Sequence, residues 1–263
     1  MKLNQEELKH SLAGKFIGYQ LYYYEEIDST NDEAFRLGLT GAPEGTAVIA
    51  EKQNAGKGRL QRVWYSPAGS SIFTSIILRP QMEPAKAPQI SLLAGVAAAE
   101  ALDRYCPGRV KLKWPNDVLI DGKKVCGILS QMKIAVKGVD FIVLGIGINV
   151  NIRDNEFPKE IGRLATSLAT EVGREIARQE LIISLYENLA KWYKCLTQDG
   201  FGRIKERWLS IAPMIGEPVE VAFHEETVNG MAIGLDEDGS LILRTAKNEE
   251  FKVSAGDATI VKR

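Results

Sequence analysis

The chain has 263 residues, with 33 Lys and Arg against 34 Asp and Glu, so its formal net charge is −1. Its 45% hydrophobic and 25% charged residues are typical of a globular protein and exclude a disordered chain, a fibre and a disulfide scaffold. The near-neutral charge argues against a general nucleic-acid-binding protein, and no apolar run reaches the roughly 18 residues of a membrane span.

The numbers of cysteines and histidines narrow the class of protein further. Cys106, Cys126 and Cys195 are odd in number and form no C-x-x-C pair, which is typical of reduced thiols. The polar, acidic start of the chain lacks the apolar core of a secretory signal, so we expect a cytoplasmic protein. His10 and His224 are the only histidines, which excludes a multi-histidine metal site.

The first third of the chain predicts alternating helices and strands. A short helix lies within residues 1–18, and strands are predicted at 21–24, 47–50 and 72–78. Thr30, followed three residues later by Glu33, matches a capping box and predicts a helix that begins at Thr30. Capping explains Thr30, although the polar cluster Ser29-Thr30-Asn31 at a helix N-terminus also suits an anion or a urea-like ligand.

A basic loop with two glycines follows the second of these strands. It reads Gly56-Lys57-Gly58-Arg59, with Arg62 and Trp64 close behind. The glycines allow a ligand to approach the backbone N–H groups, and the cations beside them suit a phosphate or a carboxylate. The loop matches neither the Walker pattern nor the dinucleotide-binding fingerprint, and a solvated surface turn is the alternative.

The middle of the chain predicts a helix over 90–105 and then a hairpin. The hairpin turn is Asp121-Gly122, between a strand over 118–120 and a return strand over 123–129. A motif of unusual composition, Lys113-Trp114-Pro115-Asn116-Asp117, comes directly before it.

The two-residue turn also predicts which residues of the hairpin face each other. Leu119 lies opposite Lys124, and Asp117 lies opposite Cys126. Lys124 and Asp117 are then diagonal neighbours on one face, where they suit a phosphate and its Mg²⁺. A surface salt bridge is the alternative.

A nearly continuous apolar run, Phe141–Val150, predicts a strand that is buried on both faces. It contains Gly145 and Gly147, whose alternate positions clear one face. Packing against a helix and the floor of a ligand site are equally good explanations. Asn149 lies two residues after Gly147, on the same face of the strand, so its amide should point into the cleared space.

The last third of the chain changes from helix to strand. Leucines at helical spacing over 181–196 predict an amphipathic helix, and short alternating strands follow Trp208. These strands predict a small β-barrel of roughly fifty residues that begins near Pro213. Taken together, the residues indicate an α/β protein with a cation-rich, glycine-lined cleft for an anionic ligand, such as that of a nucleotide or acyl-phosphate enzyme.

In their order along the chain, these motifs resemble those of the biotin–protein ligases over essentially the whole sequence. The matching segments are Ser29-Thr30-Asn31, Gln53, Gly56-Lys57-Gly58-Arg59 with Trp64 and Ser66-Pro67, Lys113-Trp114-Pro115-Asn116-Asp117, 124–129 and 145–151. The resemblance implies an α/β (α+β) fold. It places a mixed-sheet catalytic domain, like that of class II aminoacyl-tRNA synthetases, at 1–212 and an SH3-like β-barrel at 213–263. Lys57, Leu60 and Gln61 depart from the family's loop pattern.

The implied reaction has two steps. The carboxylate of biotin attacks the α-phosphate of ATP in the presence of Mg²⁺, which gives biotinoyl-5′-AMP and pyrophosphate. A lysine of a biotin carboxyl carrier domain, as in acetyl-CoA carboxylase, then attacks the mixed anhydride, and AMP leaves. Cations must offset the repulsion between carboxylate and polyphosphate, and an ordered loop must keep water from the anhydride.

By position, the resemblance gives each motif a role. Lys124 and Arg59 are the catalytic candidates. Biotin binding is expected from Ser29, Thr30, Asn31, Gln53, Lys57, Gly58, Arg59, Lys124 and Gly127. ATP or adenylate binding is expected from Gly56, Arg59, Arg62, Trp64, Asn116, Asp117, Lys124 and Asn149. Asp117 is also the expected Mg²⁺ ligand.

The expected partners are the carrier domain, biotin and ATP, with no membrane. Some members of the family carry an N-terminal winged helix and repress biotin-synthesis genes. The segment before Ser29 is shorter than the roughly sixty residues of such a module, so no sequence-specific DNA binding is expected. The family often dimerises, and the sequence leaves a homodimer open. The alternatives are a lipoate or octanoate transferase of the related fold, and a non-catalytic biotin-binding adaptor.

Overall fold

A mixed sheet of seven strands carries the larger part of the chain. The computed structural model describes residues 2–65, 67–223 and 226–261, so Met1, Ser66, His224, Glu225, Lys262 and Arg263 lie outside it. The strands are β1 (Leu21–Tyr24), β2 (Ala47–Ala50), β3 (Ser71–Leu78), β4 (Val110–Lys113), β5 (Asp117–Ile120), β6 (Lys123–Ala135) and β7 (Gly138–Asn149). Their order is β1-β2-β3-β7-β6-β5-β4, in which β1 and β2 are parallel and the other pairs antiparallel.

Six helices accompany this sheet in the described part of the chain. They are α1 (Gln5–Leu12), α2 (Thr30–Leu39), α3 (Pro88–Asp103), α4 (Leu168–Val172), α5 (Arg178–Asp199) and α6 (Gly202–Ser210). The short helices α4 and α6 were not predicted from the sequence. None of the described helices is long and apolar enough to cross a membrane.

The helices cover the two faces of the sheet unequally. α3 and α5 pack on one face and bury its alternate strand residues in the main core. α2 packs on the other face over β2, β3 and β7, where Leu37 meets Val48, Ile77 and Val143 in a smaller core. Both faces of β7 are therefore buried, as its apolar run predicts. The part of the second face that lies beyond α2 forms the floor of a cleft.

α2 begins at Thr30 as predicted, but its N-cap lies one residue earlier than the capping box predicts. Ser29, not Thr30, is the N-cap, and its hydroxyl accepts a hydrogen bond from the Asp32 N–H at 3.4 Å. Glu33 does not close a capping box, because its carboxylate binds Tyr24 and Arg36 instead. The Thr30 side chain is thereby available to the cleft.

The predicted hairpin forms, but its register shifts partway along. Leu119 lies opposite Lys124 as expected, whereas Asp117 lies opposite Gly127 and not Cys126. A β-bulge between Val118 and Leu119 causes this shift, and it allows Val125 and Cys126 to be buried together. Lys124 precedes the bulge, so it keeps the predicted face.

A separate antiparallel sheet of five strands follows α6. Its strands are β8 (Pro218–Phe223), β9 (Glu226–Leu235), β10 (Leu241–Arg244), β11 (Glu250–Val253) and β12 (Asp257–Ile260), in the order β11-β10-β9-β8-β12. The predicted change to an all-β terminal unit is confirmed. This sheet adjoins the hairpin motif, since the Trp114 indole N–H donates to the Gly239 carbonyl at 3.2 Å.

A buried ion pair fastens the N-terminal segment to the sheet. Glu51, which follows β2 and is 5% exposed, pairs with Arg178 of α5 at 2.8 Å. Its carboxylate also accepts hydrogen bonds from the Leu3 N–H at 2.7 Å and the Tyr23 hydroxyl at 3.1 Å. Burial by itself raises the pKa of Glu51, but the hydrogen bonds from Arg178 and Leu3 outweigh it and hold the pKa below its ordinary value of 4.5.

We expect Glu51→Gln to lower the free energy of unfolding at pH 7 by about 3–5 kcal/mol, because Arg178 loses its buried counter-charge. A carboxylate with a lowered pKa stabilises the fold above its ordinary pKa and loses this effect as pH falls through the folded value. The gap between variant and wild type should therefore narrow below pH 4.5. Urea unfolding at several pH values measures this. Glu160→Gln, at an exposed position, is the control, and a gap that stays constant with pH would contradict the prediction.

Candidate active site

A cavity of about 830 Å³ lies on the cleft face of the large sheet. Its walls come from the start of α2, the basic loop, the β5–β6 hairpin and β12 of the terminal sheet. The predicted site residues that line it are Ser29, Thr30, Asn31, Gln53, Lys57, Gly58, Arg59, Arg62, Trp64, Asn116, Asp117, Lys124, Gly127 and Asn149. Gly56 is the exception: it is buried behind the loop, where its carbonyl accepts from the Trp64 N–H at 2.9 Å.

One end of the cavity is a polar network built on α2. The Gln53 side-chain oxygen accepts from the Thr30 N–H at 2.8 Å and from the Thr30 hydroxyl at 3.0 Å. Ser75 of β3 donates to the Asn31 side-chain oxygen at 2.6 Å, and the Asn31 amide donates to the Gln131 side chain at 3.2 Å. Within the described residues, no hydrogen bond engages the Gln53 side-chain nitrogen, so it remains a donor for a ligand carbonyl.

The strand glycines accommodate side chains that reach over the sheet. A Cβ on Gly145 would lie 1.9 Å from the Asn31 side-chain oxygen, so this glycine makes room for α2. Gly127 and Gly147 are cross-strand neighbours, and a Cβ on either would lie 2.6 Å from the Trp64 indole. The explanation by packing against a helix is confirmed for Gly145, whereas Gly147 and its neighbour Gly127 make room for the Trp64 side chain of the loop. The floor of a ligand site stays a prediction.

The basic loop folds back on itself as a tight turn. The Gly58 N–H donates to the Arg62 carbonyl at 2.7 Å, and the Arg62 N–H donates to the Arg59 carbonyl at 3.1 Å. At the tip, Leu60 and Gln61 have positive φ values of 53° and 59°. Lys57 turns back to α2, where it pairs with Asp32 at 2.7 Å.

Lys124 and Asp117 form the predicted pair at the other end of the cavity. The Lys124 ammonium lies 2.5 Å from Asp117 Oδ1 and 5.3 Å from the centroid of the Trp64 ring. The neighbouring Asn116 accepts from an Arg59 guanidinium N–H at 3.3 Å and donates to the Ile128 carbonyl at 2.6 Å. Arg59 of the loop and the Lys124–Asp117 pair of the hairpin therefore meet around Asn116.

The lining of the cavity carries an excess of positive charge. In the described residues it holds five basic side chains, Lys57, Arg59, Arg62, Lys113 and Lys124, against two acidic ones, Asp117 and Asp257. An anionic ligand with several charges suits this surplus of three. Burial raises the pKa of the Cys126 thiol, so this neighbour of Lys124 is no thiolate nucleophile.

Asn149 lies on the predicted face of β7 and lines the cavity, but its amide is already engaged. Its Nδ2 donates to the Thr166 carbonyl at 3.0 Å. Sequence reasoning missed Ser75, Gln131 and Asp257 altogether. Alternate residues of β3 face the cleft, and Ser75 is one of them, so this alternation is a signal that could have identified it. No local pattern in the sequence marks Asp257.

The arrangement can bind a carboxylate and a polyphosphate side by side. Arg59 and Lys124 converge at one end, and the neutral donors and acceptors of Thr30, Asn31 and Gln53 lie at the other. The described residues hold no group of three or more His, Cys, Asp or Glu side chains that could bind a metal ion by themselves. A single carboxylate, Asp117, is still enough for a Mg²⁺ ion that is bound mainly by phosphates.

Comparison with known proteins gives family matches in both parts of the chain. Residues 23–149 match the biotin/lipoate A/B protein ligase family, and residues 214–260 match the biotin protein ligase C-terminal domain.

Similar full-length proteins bear related names. The chain is 39% identical over 251 residues to the bifunctional ligase/repressor BirA of Bacillus subtilis, across 95% of this chain and 77% of that protein. It is 32% identical over 265 residues to the biotin–[acetyl-CoA-carboxylase] ligase of Mycobacterium tuberculosis, across 97% and 94% of the two chains. The solved biotin protein ligase from Aquifex aeolicus in complex with biotin and ATP is 31% identical, with a TM-score of 0.79 over 93% of this chain and 99% of that one.

Proposed function

This chain belongs to the biotin protein ligase family, and from that premise we propose that it activates biotin with ATP and transfers it to a lysine of a biotin carboxyl carrier domain. One observation supports this reaction above others. Arg59 and Lys124, which are distant in the sequence, both lie next to the Asn116-Asp117 pair at the basic end of the cavity. Two cations at one point suit a carboxylate that must approach a phosphate.

In the first step, a carboxylate oxygen of biotin attacks the α-phosphorus of ATP, and the bond to the bridging oxygen of pyrophosphate breaks. Lys124 stabilises this step because its ammonium offsets the negative charges that are brought together. Arg59 then holds the phosphate of the adenylate. The loop from Lys57 to Trp64 excludes water from the anhydride, with the Trp64 indole close over Gly127 and Gly147.

In the second step, the amine of the acceptor lysine attacks the acyl carbon of the anhydride. The carbon–oxygen bond to AMP breaks, an amide forms, and the amine loses a proton. Lys124 and Arg59 stabilise the leaving AMP, since its phosphate regains a negative charge as it departs.

At the polar end of the cavity, we assign the head group of biotin to Thr30, Asn31 and Gln53. The free side-chain nitrogen of Gln53 and the hydroxyl of Thr30 suit a urea-like group that both donates and accepts hydrogen bonds. Ser29 caps the helix that carries these residues. Its role is therefore to fix the pocket.

Magnesium enters this scheme with the nucleotide. Asp117 is 20% exposed and lines the cavity, so its second oxygen could reach an ion that the phosphates hold. The ion would neutralise phosphate charge.

Mass spectrometry after incubation with biotin and MgATP tests the proposed activation. We expect a retained biotinoyl-adenylate, and a biotinylated lysine once a carboxyl carrier domain is added. A chain that binds lipoate and not biotin in isothermal titration would overturn the assignment in favour of the lipoate or octanoate alternative. A chain that binds biotin without turnover would favour the adaptor.

We further propose that residues 2–28 do not form a DNA-binding module, although the Bacillus subtilis relative is named a ligase and repressor. In residues 2–28 the structure contains one helix, α1, and the short strand β1. A helix-turn-helix needs at least two helices packed at an angle. Detection of specific operator binding by the pure chain in a gel-shift assay would overturn this proposal.

We also propose that the chain divides into a catalytic domain at 1–212 and a terminal domain at 213–263. The three cysteines are buried and free of disulfides, which suits a cytoplasmic location. β6 continues to Ala135, whereas its neighbour β5 ends at Ile120, so the far part of β6 offers an edge for a homodimer. Analytical ultracentrifugation with and without biotin and ATP tests the dimer.

A further inference from the structure

Two arginines of the basic loop share one carboxylate from the far end of the chain. Asp257, the first residue of β12, accepts a hydrogen bond from Arg59 at 2.7 Å and pairs through its other oxygen with Arg62 at 2.8 Å. The carbonyl of Gly256 accepts from Arg59 at 3.1 Å. We propose that Asp257 is a positioning residue, which holds the loop against the terminal sheet and orients Arg59 before the nucleotide binds. This inference rests on the proposed function.

The conformation of the loop shows why it needs an external anchor. Leu60 and Gln61 both adopt left-handed backbone angles, which cost free energy for residues other than glycine. Leu60 is 58% exposed and Val63 83% exposed, so burial of apolar side chains does not compensate for this cost. The ion pairs to Asp257 are therefore among the contacts that hold the tip of the turn in place, with the hydrogen bonds from Arg59 to Asn116 and Gly256.

Asp257 does not compete with a ligand for the guanidinium of Arg59. A guanidinium has five N–H donors. In the described structure, three hydrogen bonds of Arg59 go to Asn116, Asp257 and Gly256. Two donors remain, so Arg59 can bind a phosphate oxygen while Asp257 keeps its place. Two arginines against one carboxylate also leave a net positive charge for the phosphate.

The position of Asp257 fits this role. It lines the cavity together with Thr259 of the same strand. The Arg59–Asp257 pair is partly shielded, with side chains 21% and 24% exposed, so the surrounding solvent weakens it less than a fully exposed pair. The terminal sheet thereby becomes part of the nucleotide end of the site.

Limited proteolysis with trypsin, without any ligand, tests the anchor directly. We compare the wild type with Asp257→Asn, with Asp257→Glu as the conservative rescue, and with Glu250→Gln as the matched control. Glu250 is an exposed, ion-paired acid on β11 of the same sheet, outside the cavity. We expect Asp257→Asn to be cut about fivefold faster, at the bonds after Lys57, Arg59 and Arg62 only, because the open loop is more populated.

Asp257→Glu should be cut at close to the wild-type rate, and Glu250→Gln at the wild-type rate. Equal cleavage of Asp257→Asn and wild type would overturn the inference. Cleavage spread over many sites would also overturn it, since that pattern means loss of the fold and not release of the loop. This readout does not depend on enzymatic activity, so it holds even if the proposed function fails.

Steady-state kinetics then separate positioning from a merely structural role. We expect Asp257→Asn to raise the KM for ATP about fivefold, with kcat and the KM for biotin close to wild type, because Arg59 must be ordered by each incoming nucleotide. Asp257→Glu should restore most of the affinity. Equal losses in the KM for biotin and ATP would contradict the proposal, whereas an inactive wild type would refute the proposed function alone.

Discussion

Replacing Lys124 by alanine should slow formation of the adenylate by about 100- to 1,000-fold, which is the usual cost of removing one preorganised charge from a reacting centre. The ammonium of Lys124 lies at the basic end of the cavity, 2.5 Å from Asp117. Its loss removes one of the cations that offset the repulsion between carboxylate and phosphate there. Pyrophosphate release in a single turnover, with saturating biotin and MgATP, measures the effect.

The removal of Lys124 also frees the carboxylate of Asp117, which could itself repel the nucleotide. The double variant Lys124→Ala/Asp117→Asn separates these causes. If the lysine acts directly, the double variant stays slow; a return to nearly the wild-type rate would mean that Lys124 serves only to neutralise Asp117. Lys123→Ala, at the exposed neighbouring position, is the control. If Lys124→Ala forms the adenylate at a rate within threefold of the wild type, residues other than Lys124 must stabilise this step.

Gly145→Ala should weaken biotin binding by about 100-fold, because a displacement of about 1 Å at a binding group is enough for such a loss. The new methyl carbon would lie 1.9 Å from the side-chain oxygen of Asn31 and 2.7 Å from its Cγ. Asn31 must then leave its hydrogen bonds with Ser75 and Gln131. Isothermal titration with biotin measures the loss.

The control for this change is Gly234→Ala, in a strand of the terminal sheet where a Cβ would meet no atom within 4 Å. Thermal unfolding of both variants checks that the large sheet survives. The double variant Asn31→Ala/Gly145→Ala removes the clash, but it does not restore the hydrogen bonds of the Asn31 side chain. It should fold like the wild type and still bind biotin weakly, and full recovery of binding would show that Asn31 makes no contact of value with the ligand.

Local signals in the sequence predict most of the strands and half of the site. The two-residue turn at Asp121-Gly122 predicts the pairing of Lys124 with Asp117, and this prediction survives the β-bulge because the extra residue comes after Lys124. Parity along β7 places Gly145, Gly147 and Asn149 on one face. In each case the interacting residues are close in sequence or share one strand.

The contacts that could not be predicted join distant parts of the chain. Ser75 meets Asn31 across 44 positions, and Gln131 meets it across 100. Their proximity depends on the order of strands in the sheet. In that order β3 and β7 are neighbours, although β4, β5 and β6 lie between them in the sequence. No local pattern encodes that order. The helix cap is a smaller case, in which the capping box predicts Thr30 and the structure uses Ser29.

The hydrogen bond between Arg59 and Asp257 spans 198 of the 263 positions of the chain. During synthesis on the ribosome, the elements that hold biotin emerge long before β12. A nascent chain could therefore fold its vitamin pocket early while the anchor for its loop is still missing. Under the proposed function, the part of the site that orders Arg59 for the nucleotide would thus be completed last, by β12.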